Sequence, residues 1–382
     1  MSQNHDLASR VWTFQLSRIL LSRCGWLIGL TWMILSFPVQ GATELRVVIK
    51  KDVNTLKVGS STSALVRDGV GRKLGELTRL EAFAVKPRHD GVNLNQWNSN
   101  QIVIEPTENG SIWIGDRWYR GKVRLIRKGN GVMAVNLVDL EEYLYSVVGA
   151  EAYPTWPMEA LKSQAVVART YALYKSSKAK SRYYDLDTTT KTQVYKGLET
   201  EFVTTHKAVN GTAGQVLTHK GKVILAAFHS SSGGHTENVE DVWSSPLPYL
   251  RGVVDYDQLA PVFQWRKSFS ANQMGKLIGG IGAVQSLIPQ RTTPHGRIIT
   301  LKVVGTRGSK NITDDNLRKA LNLKSTLFTV SANDETFQIH GRGYGHGIGL
   351  SQWGSHYLAE QGIPYDQIVK HYYQNAQLTT LN

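Results

Sequence analysis

The sequence predicts an α+β fold, with mainly antiparallel strands around a long central helix and a substrate groove formed by Gly-rich loops. Three observations carry this expectation. Short β-branched or alternating runs fill residues 43 to about 140. One long helical stretch follows Pro157, with a stripe of small residues. Near the C-terminus, glycine takes every second position from Gly341 to Gly349. The chain has 382 residues, 41% of them hydrophobic, which is ample for a buried core and allows one large or two ordinary domains.

The first element is apolar. Arg10, Arg18 and Arg23 precede the run Cys24 to Val39, and Gln40-Gly41-Ala42 follows. A basic flank, an apolar stretch too short to span a bilayer comfortably, and small residues read as a secretory signal peptide over residues 1–42, or as an N-terminal membrane anchor. The single cysteine, Cys24, lies inside it. A chain cleaved near Gly41 or Ala42 therefore has no disulfide and no thiolate metal ligand. The net charge is +14, and residues 1–42 contribute only three arginines and one aspartate to it. Such an excess suits an anionic partner. No nucleic-acid motif is visible, so an exported, basic chain points to the cell envelope, not to DNA or RNA.

Residues 43–136 form a β-rich N-terminal part. Leu45–Ile49, Ile102–Ile104, Ile112–Ile114 and Lys122–Ile126 are the strand candidates, with hairpin turns at Glu108-Asn109-Gly110 and Lys128-Gly129-Asn130-Gly131. Residues 137–382 form the second region, and 43–382 together make one composite unit if the two share a core. Leu140, Leu144, Val147 and Val148 predict a helix over Leu137–Val148. A loop through Glu151 follows, then a long helix with Pro157 in its first turn. Leu161, Ala165, Ala168 and Ala172 make it central and buried. Val223–Phe228 is a buried-strand candidate leading into the polar loop His229–His235. Ile298–Val304 predicts a strand and Asp315–Leu323 a short helix. Ser351 can cap a helix ending at Glu360, with Gly362 and Pro364 beyond it.

Glu151 is the leading catalytic candidate. Its neighbours Val147, Val148, Ala150, Ala152, Tyr153 and Trp156 would strip water from the carboxyl and raise its pKa, as a general acid requires. A helix-cap or salt-bridge role is the alternative. Arg169, in an otherwise apolar helix middle, can hold Glu151 or a substrate carboxylate, or form a plain ion pair. His229, His235 and His346 lack metal-ligand spacing, so no metal or cofactor is expected. Ser230-Ser231-Ser232 lacks a nucleophile elbow.

Three blocks carry a resemblance. The first is Asp139–Leu144, continuing through Val147–Glu151 and Trp156–Ala165 to Ala168–Ala172. The second runs from Thr188-Thr189 and Gln193-Val194-Tyr195 through Ser231–Glu237 to Trp243 and Pro248-Tyr249-Leu250. The third is Gly341–Gly354. In this order they resemble the stage II sporulation protein D (SpoIID/LytB) family, which includes the amidase enhancers. The resemblance implies a peptidoglycan lytic transglycosylase. Such an enzyme cuts between N-acetylmuramic acid and N-acetylglucosamine in peptide-stripped strands and leaves 1,6-anhydro ends. Glu151 takes the catalytic place, and a cell-wall amidase is a partner. The matched blocks nominate Gln164, Arg169, Gln193, Tyr195, Ser232, His235, Arg342, Tyr344, His346, Ser351 and Gln352 as substrate-binding. Many relatives have Glu-Met-Pro where this chain has Glu151-Ala152-Tyr153-Pro154, one residue longer. The zinc site of some relatives uses cysteine and is not carried over. The alternative is a non-catalytic glycan-binding protein that recruits or stimulates an amidase.

Overall fold

The structure, a computed structural model, describes residues 43–381 apart from 191, 244, 334 and 335. The N-terminal apolar segment and Cys24 lie outside the described residues. Among those described, no helix is long and apolar enough to cross a membrane.

The fold is α+β, and its sheets are mostly antiparallel. Several strands between residues 43 and 128 alternate buried and more exposed side chains, whereas Gly131–Asp139 is buried almost throughout. Ile102 and Ile104, Ile112 and Ile114, and Val123 and Leu125 are all fully buried. Period-two alternation of this kind covers one face of a sheet. Two sheets, of seven and six strands, share these apolar faces as the first core. The strand Glu44–Val53 runs antiparallel to Gly131–Asp139, pairing Leu45 with Val138 and Val47 with Asn136.

The expected helix over Leu137–Val148 begins later. Leu137 and Val138 remain in the sheet, because Asp139 caps the helix α1 (Leu140–Glu151), accepting from the N–H groups of Glu141 and Glu142. Helix α1 also runs on to Glu151, so this residue ends a helix and does not sit in a loop. A turn follows, with Trp156 N–H donating to Tyr153 O at 3.0 Å. Pro157 then stands just before helix α2 (Met158–Ser177).

Helix α2 is buried on two sides. Leu161, Ala165, Ala168 and Ala172 are fully buried in the first core, while Ala160, Val166 and Val167 face a second. Small side chains let both cores approach its backbone. The second core is completed by strand Gln215–His219 and by the helices Gln352–Glu360 and Tyr365–Tyr372. Ser351 caps the first of these through Gly354 N–H. The strand expected over Val223–Phe228 survives only at its ends. Ile224, Ala226 and Ala227 are buried, and Leu225 partly so, without ladder pairing.

A third core lies in residues 264–342. Two three-stranded antiparallel sheets and the helices Ala271–Ile278 and Asp314–Leu321 enclose it. The expected strand and short helix are both here, but most of this lobe gave no local signal. The strand Val284–Thr292, for example, is mostly exposed and lacks strict alternation.

Candidate active site

Helix α1 packs on helix α3 (Val203–Asn210), and its last turn brings Glu151 to the loop through Val194. Its Oε1 accepts the Val194 N–H at 2.8 Å. The Gln352 amide donates to the same carboxyl. Glu151 stands at the negative end of the helix dipole, with no basic residue in the last turn and, among the described residues, no ion pair. Burial pushes its pKa up, and the two hydrogen bonds pull it back only in part. Tyr171 is pushed up to about 12, by burial first and then by the Glu151 charge.

Gln164 and Gln352 meet beside it. The Gln352 Nε2 donates to Gln164 Oε1 at 3.4 Å, and the Gln164 Nε2 is buried without a partner. Two segments of distant sequence thus place one donor on the carboxyl and a second, unused donor next to it.

An aromatic cluster joins the turn that follows Glu151 to the residue after Gln352. Trp156 and Trp353 meet edge to face at 5.0 Å, and His356 lies 4.9 Å from Trp156. Tyr153, 60% exposed, contacts both tryptophans. Tyr153 belongs to the longer Glu151–Pro154 segment, and Trp353 follows Gln352. Their sequence signal was weak, since ten tryptophans in a chain of this size can all be core.

Arg169 does not reach Glu151. Its guanidinium forks onto Glu141, at 2.7 and 2.6 Å, and donates also to Thr212 Oγ1, Gln215 O and Val209 O. All five donors are spent and the side chain is fully buried. Gln193 is likewise internal, bridging Tyr143 Oη and the Ala168 carbonyl. Tyr195 packs between Tyr119 and Tyr143 and donates to Asn136 Oδ1 at 2.9 Å.

The remaining nominees gather in a second group built on the glycine run. Ser231 and Tyr344 exchange backbone hydrogen bonds, and Ser232 Oγ donates to Asp255. Asp257 accepts from Ser231 Oγ and from the N–H groups of Gly233 and Gly234. Arg297, 1% exposed, staples the two loops. It donates to Gly345 O and Ser232 O and stands 3.6 Å from buried Glu237. A Cβ at Gly347 would fall 2.4 Å from this guanidinium, so glycine is required there. His235 stacks on His295 at 3.7 Å. His346 lies against His229 and Trp243, and burial pushes it down to about 3. Tyr344 and Arg342 are exposed. Asp255, Asp257 and Arg297 lie outside the matched blocks and were not foreseen, and Glu237, the last residue of Ser231–Glu237, was not nominated.

The two groups connect through backbone. Phe228-His229 pairs in parallel with Leu350-Ser351, and Ser230 O accepts from Trp353 N–H. Ser351 lies buried at the junction. Among the described residues, no hydrogen bond or ring contact joins Ser232, His235, Arg342, Tyr344 or His346 to Glu151. No group of three or more His, Cys, Asp or Glu residues there is arranged to hold a metal ion.

The model of the family described as stage II sporulation protein matches residues 128–219, the segment that holds α1, α2 and Glu151. The chain is 36% identical over 264 residues to the stage II sporulation protein D of Bacillus amyloliquefaciens, covering 64% of this chain and 76% of the relative. The chain belongs to the SpoIID family. It is also 34% identical over 289 residues to an uncharacterized protein of Brachyspira hyodysenteriae, covering 74% and 77%. It is 32% identical over 292 residues to the amidase enhancer of Bacillus subtilis, covering 62% of this chain but 40% of that protein. A second model, described as a domain of unknown function (DUF8618), matches residues 254–349, which contain the third core.

Proposed function

We propose that this SpoIID protein is a peptidoglycan lytic transglycosylase of the cell envelope, acting on peptide-stripped glycan strands through Glu151. The observation that carries the reading is the state of that carboxyl. It is half-buried at a helix C-terminus, without a cation, and holds its proton above the usual carboxylate range. Protonated Glu151 gives its proton to the glycosidic oxygen as the bond to the muramic acid C1 breaks, which passes through an oxocarbenium-like state. The carboxylate left behind takes the proton of the same sugar's O6 hydroxyl. O6 then bonds to C1 and closes the 1,6-anhydro ring. One carboxyl serves as acid and base, where most glycosidases use two. The Val194 N–H and the Gln352 amide hold the carboxylate while the ring closes. The Gln164 donor, idle in the free protein, and the ledge of Tyr153, Trp156 and Trp353 suit sugar hydroxyls and ring faces.

A second reading keeps the glycan site without turnover and makes the protein a partner of a wall amidase. The similarity to an amidase enhancer favours it. Mass spectrometry of peptide-stripped strands after incubation separates the two. Anhydro-ended fragments from the wild type, absent with Glu151→Gln, support the transglycosylase. Retained glycan binding without fragments supports the enhancer. Ordinary reducing ends would sink the acid-base scheme and demand a second carboxylate.

A further inference from the structure

The lobe matched by the domain of unknown function has a cavity of its own. It measures about 350 Å3, and Arg266, His295, His340, Arg342, Trp265 and Phe328 are among the residues that line it. Sheet geometry explains the arrangement. Strand Gln264–Ser270 pairs with Thr336–Arg342 so that Gln264 faces Arg342 and Arg266 faces His340. Residues directly opposite each other share a face, and these four are exposed, while Trp265, Phe269, Phe337 and Ile339 fill the core behind them. Gly341, between His340 and Arg342, leaves room for the Trp265 indole, which a Cβ would meet at 2.0 Å. The indole donates to Gly343 O and so fixes the strand that carries Arg342.

Among the described residues, no Asp or Glu lines the cavity. Among the described residues, neither the Arg266 nor the Arg342 guanidinium has an ion-pair partner. Elsewhere Arg46, Arg72, Arg117, Arg120 and Arg251 all hold carboxylates. The wider lobe is basic too, with twelve lysines and arginines against six acids over residues 254–349. Two unpaired guanidinium groups on neighbouring strands match the paired oxygens of a carboxylate or phosphate. His295, stacked on His235, joins the cavity wall to the Ser-Gly loop.

We propose that this cavity binds a carboxylate or phosphate group projecting from a polymer. The lobe would thus hold anionic substrate at a place separate from Glu151. Only the identity of that polymer as a wall glycan rests on the transglycosylase reading.

The test uses the full chain with Glu151→Gln as background, so that strands stay intact. Binding is measured at low salt to three probes: peptide-free glycan strands, the same strands with carboxyls converted to neutral amides, and poly(glycerol phosphate). Charged strands should bind about tenfold more tightly than amidated ones, with the gap shrinking as salt rises. The gap should vanish in the Arg266→Gln/Arg342→Gln double variant and return in part with lysine at both positions, with the melting temperature unchanged throughout. Poly(glycerol phosphate) that competes for the parent and not for the double variant would make phosphate a source. An undiminished gap in the double variant, or no preference for either charged polymer, overturns the proposal. Failure of the two readings is distinguishable. A charge preference without anhydro product from the wild type leaves the cavity standing and removes the transglycosylase. Anhydro product without charge preference does the reverse.

Discussion

The two ends of α1 each carry a glutamate, and the helix treats them in opposite ways. Glu141, in the first turn, sits where the dipole favours negative charge and receives both ends of the Arg169 fork. Glu151, in the last turn, has the dipole against it and only an amide and an N–H for company. The first glutamate is spent on cohesion. The second is kept uneasy, and a carboxyl that is uneasy when charged keeps its proton to higher pH and so still has one to donate. The contrast also explains why Arg169, a reasonable partner for Glu151 in sequence, goes elsewhere. A buried cation at Glu151 would hold that carboxyl ionised and unable to protonate a leaving group.

The contrast can be broken at either end. The largest effect is expected from Glu151→Gln. The amide keeps an oxygen for the Val194 N–H, yet anhydro product should fall by about 10²–10⁴-fold. Thermal stability near neutral pH should hold or rise slightly. A marked fall in stability would instead make Glu151 a structural residue. Arg169→Met should act the other way, costing about 3–5 kcal/mol in denaturant unfolding because Glu141 and three buried acceptors lose their donor. A loss under about 1 kcal/mol would show the pair to be dispensable.

Titration sharpens the comparison further. Because Glu151 binds its proton more tightly folded than unfolded, its contribution to stability is full below the unfolded value and is lost as pH rises through the folded one. Turnover should fall over the same upper limb, and Glu151→Gln should remove the stability limb in a series of melts. His346 gives the mirror case, since burial acts on a base. Its folded value of about 3 lies below the ordinary 6.5, so its contribution is present above pH 6.5 and is lost as pH falls toward 3. Melts of wild type against His346→Gln should converge across that window. The smallest effect belongs to Gln352→Leu, which removes a donor worth about 1 kcal/mol to the carboxylate. The upper limb of the pH–rate profile should move to higher pH. An unmoved limb would mean that Gln352 does not tune Glu151.

Much of the fold was legible because its signals are local. Alternation marked Ile102–Ile104 and Ile112–Ile114, and small residues marked the buried stripe of α2. Ser351 marked its helix start by side-chain chemistry. Glu151 was legible as a residue but not as a helix end. The stretch from Glu151 to Trp156 read as a loop before the long helix, whereas the first helix persists up to Glu151 and turns only after it. Partner choice was not legible at all. Gln164 and Gln352 meet across 188 residues, Arg169 finds Glu141 by the way α1 packs on α2, and Arg297 meets Glu237 only when two loops close. No periodicity encodes such meetings. The lobe around the third core was hard to read because several of its strands are largely exposed and lack strict alternation.

The seam along Gly343–Gly349 has a consequence for how the molecule comes into being. Its partners are Ser231, Ala227, Arg297 and Lys324, and the strand Gln377–Thr380 must still reach back to Gln215–His219. Contacts this distant along the chain form slowly, after the closure of long loops. The sheets before Asp139 can assemble early from neighbouring strands, but Glu151 has no Gln352 until some of the last hundred residues arrive. A chain still being made or threaded across a membrane would therefore carry its acid without the amide that tunes it. The polymer-cutting chemistry proposed for it would take its final pH range only when the seam has closed.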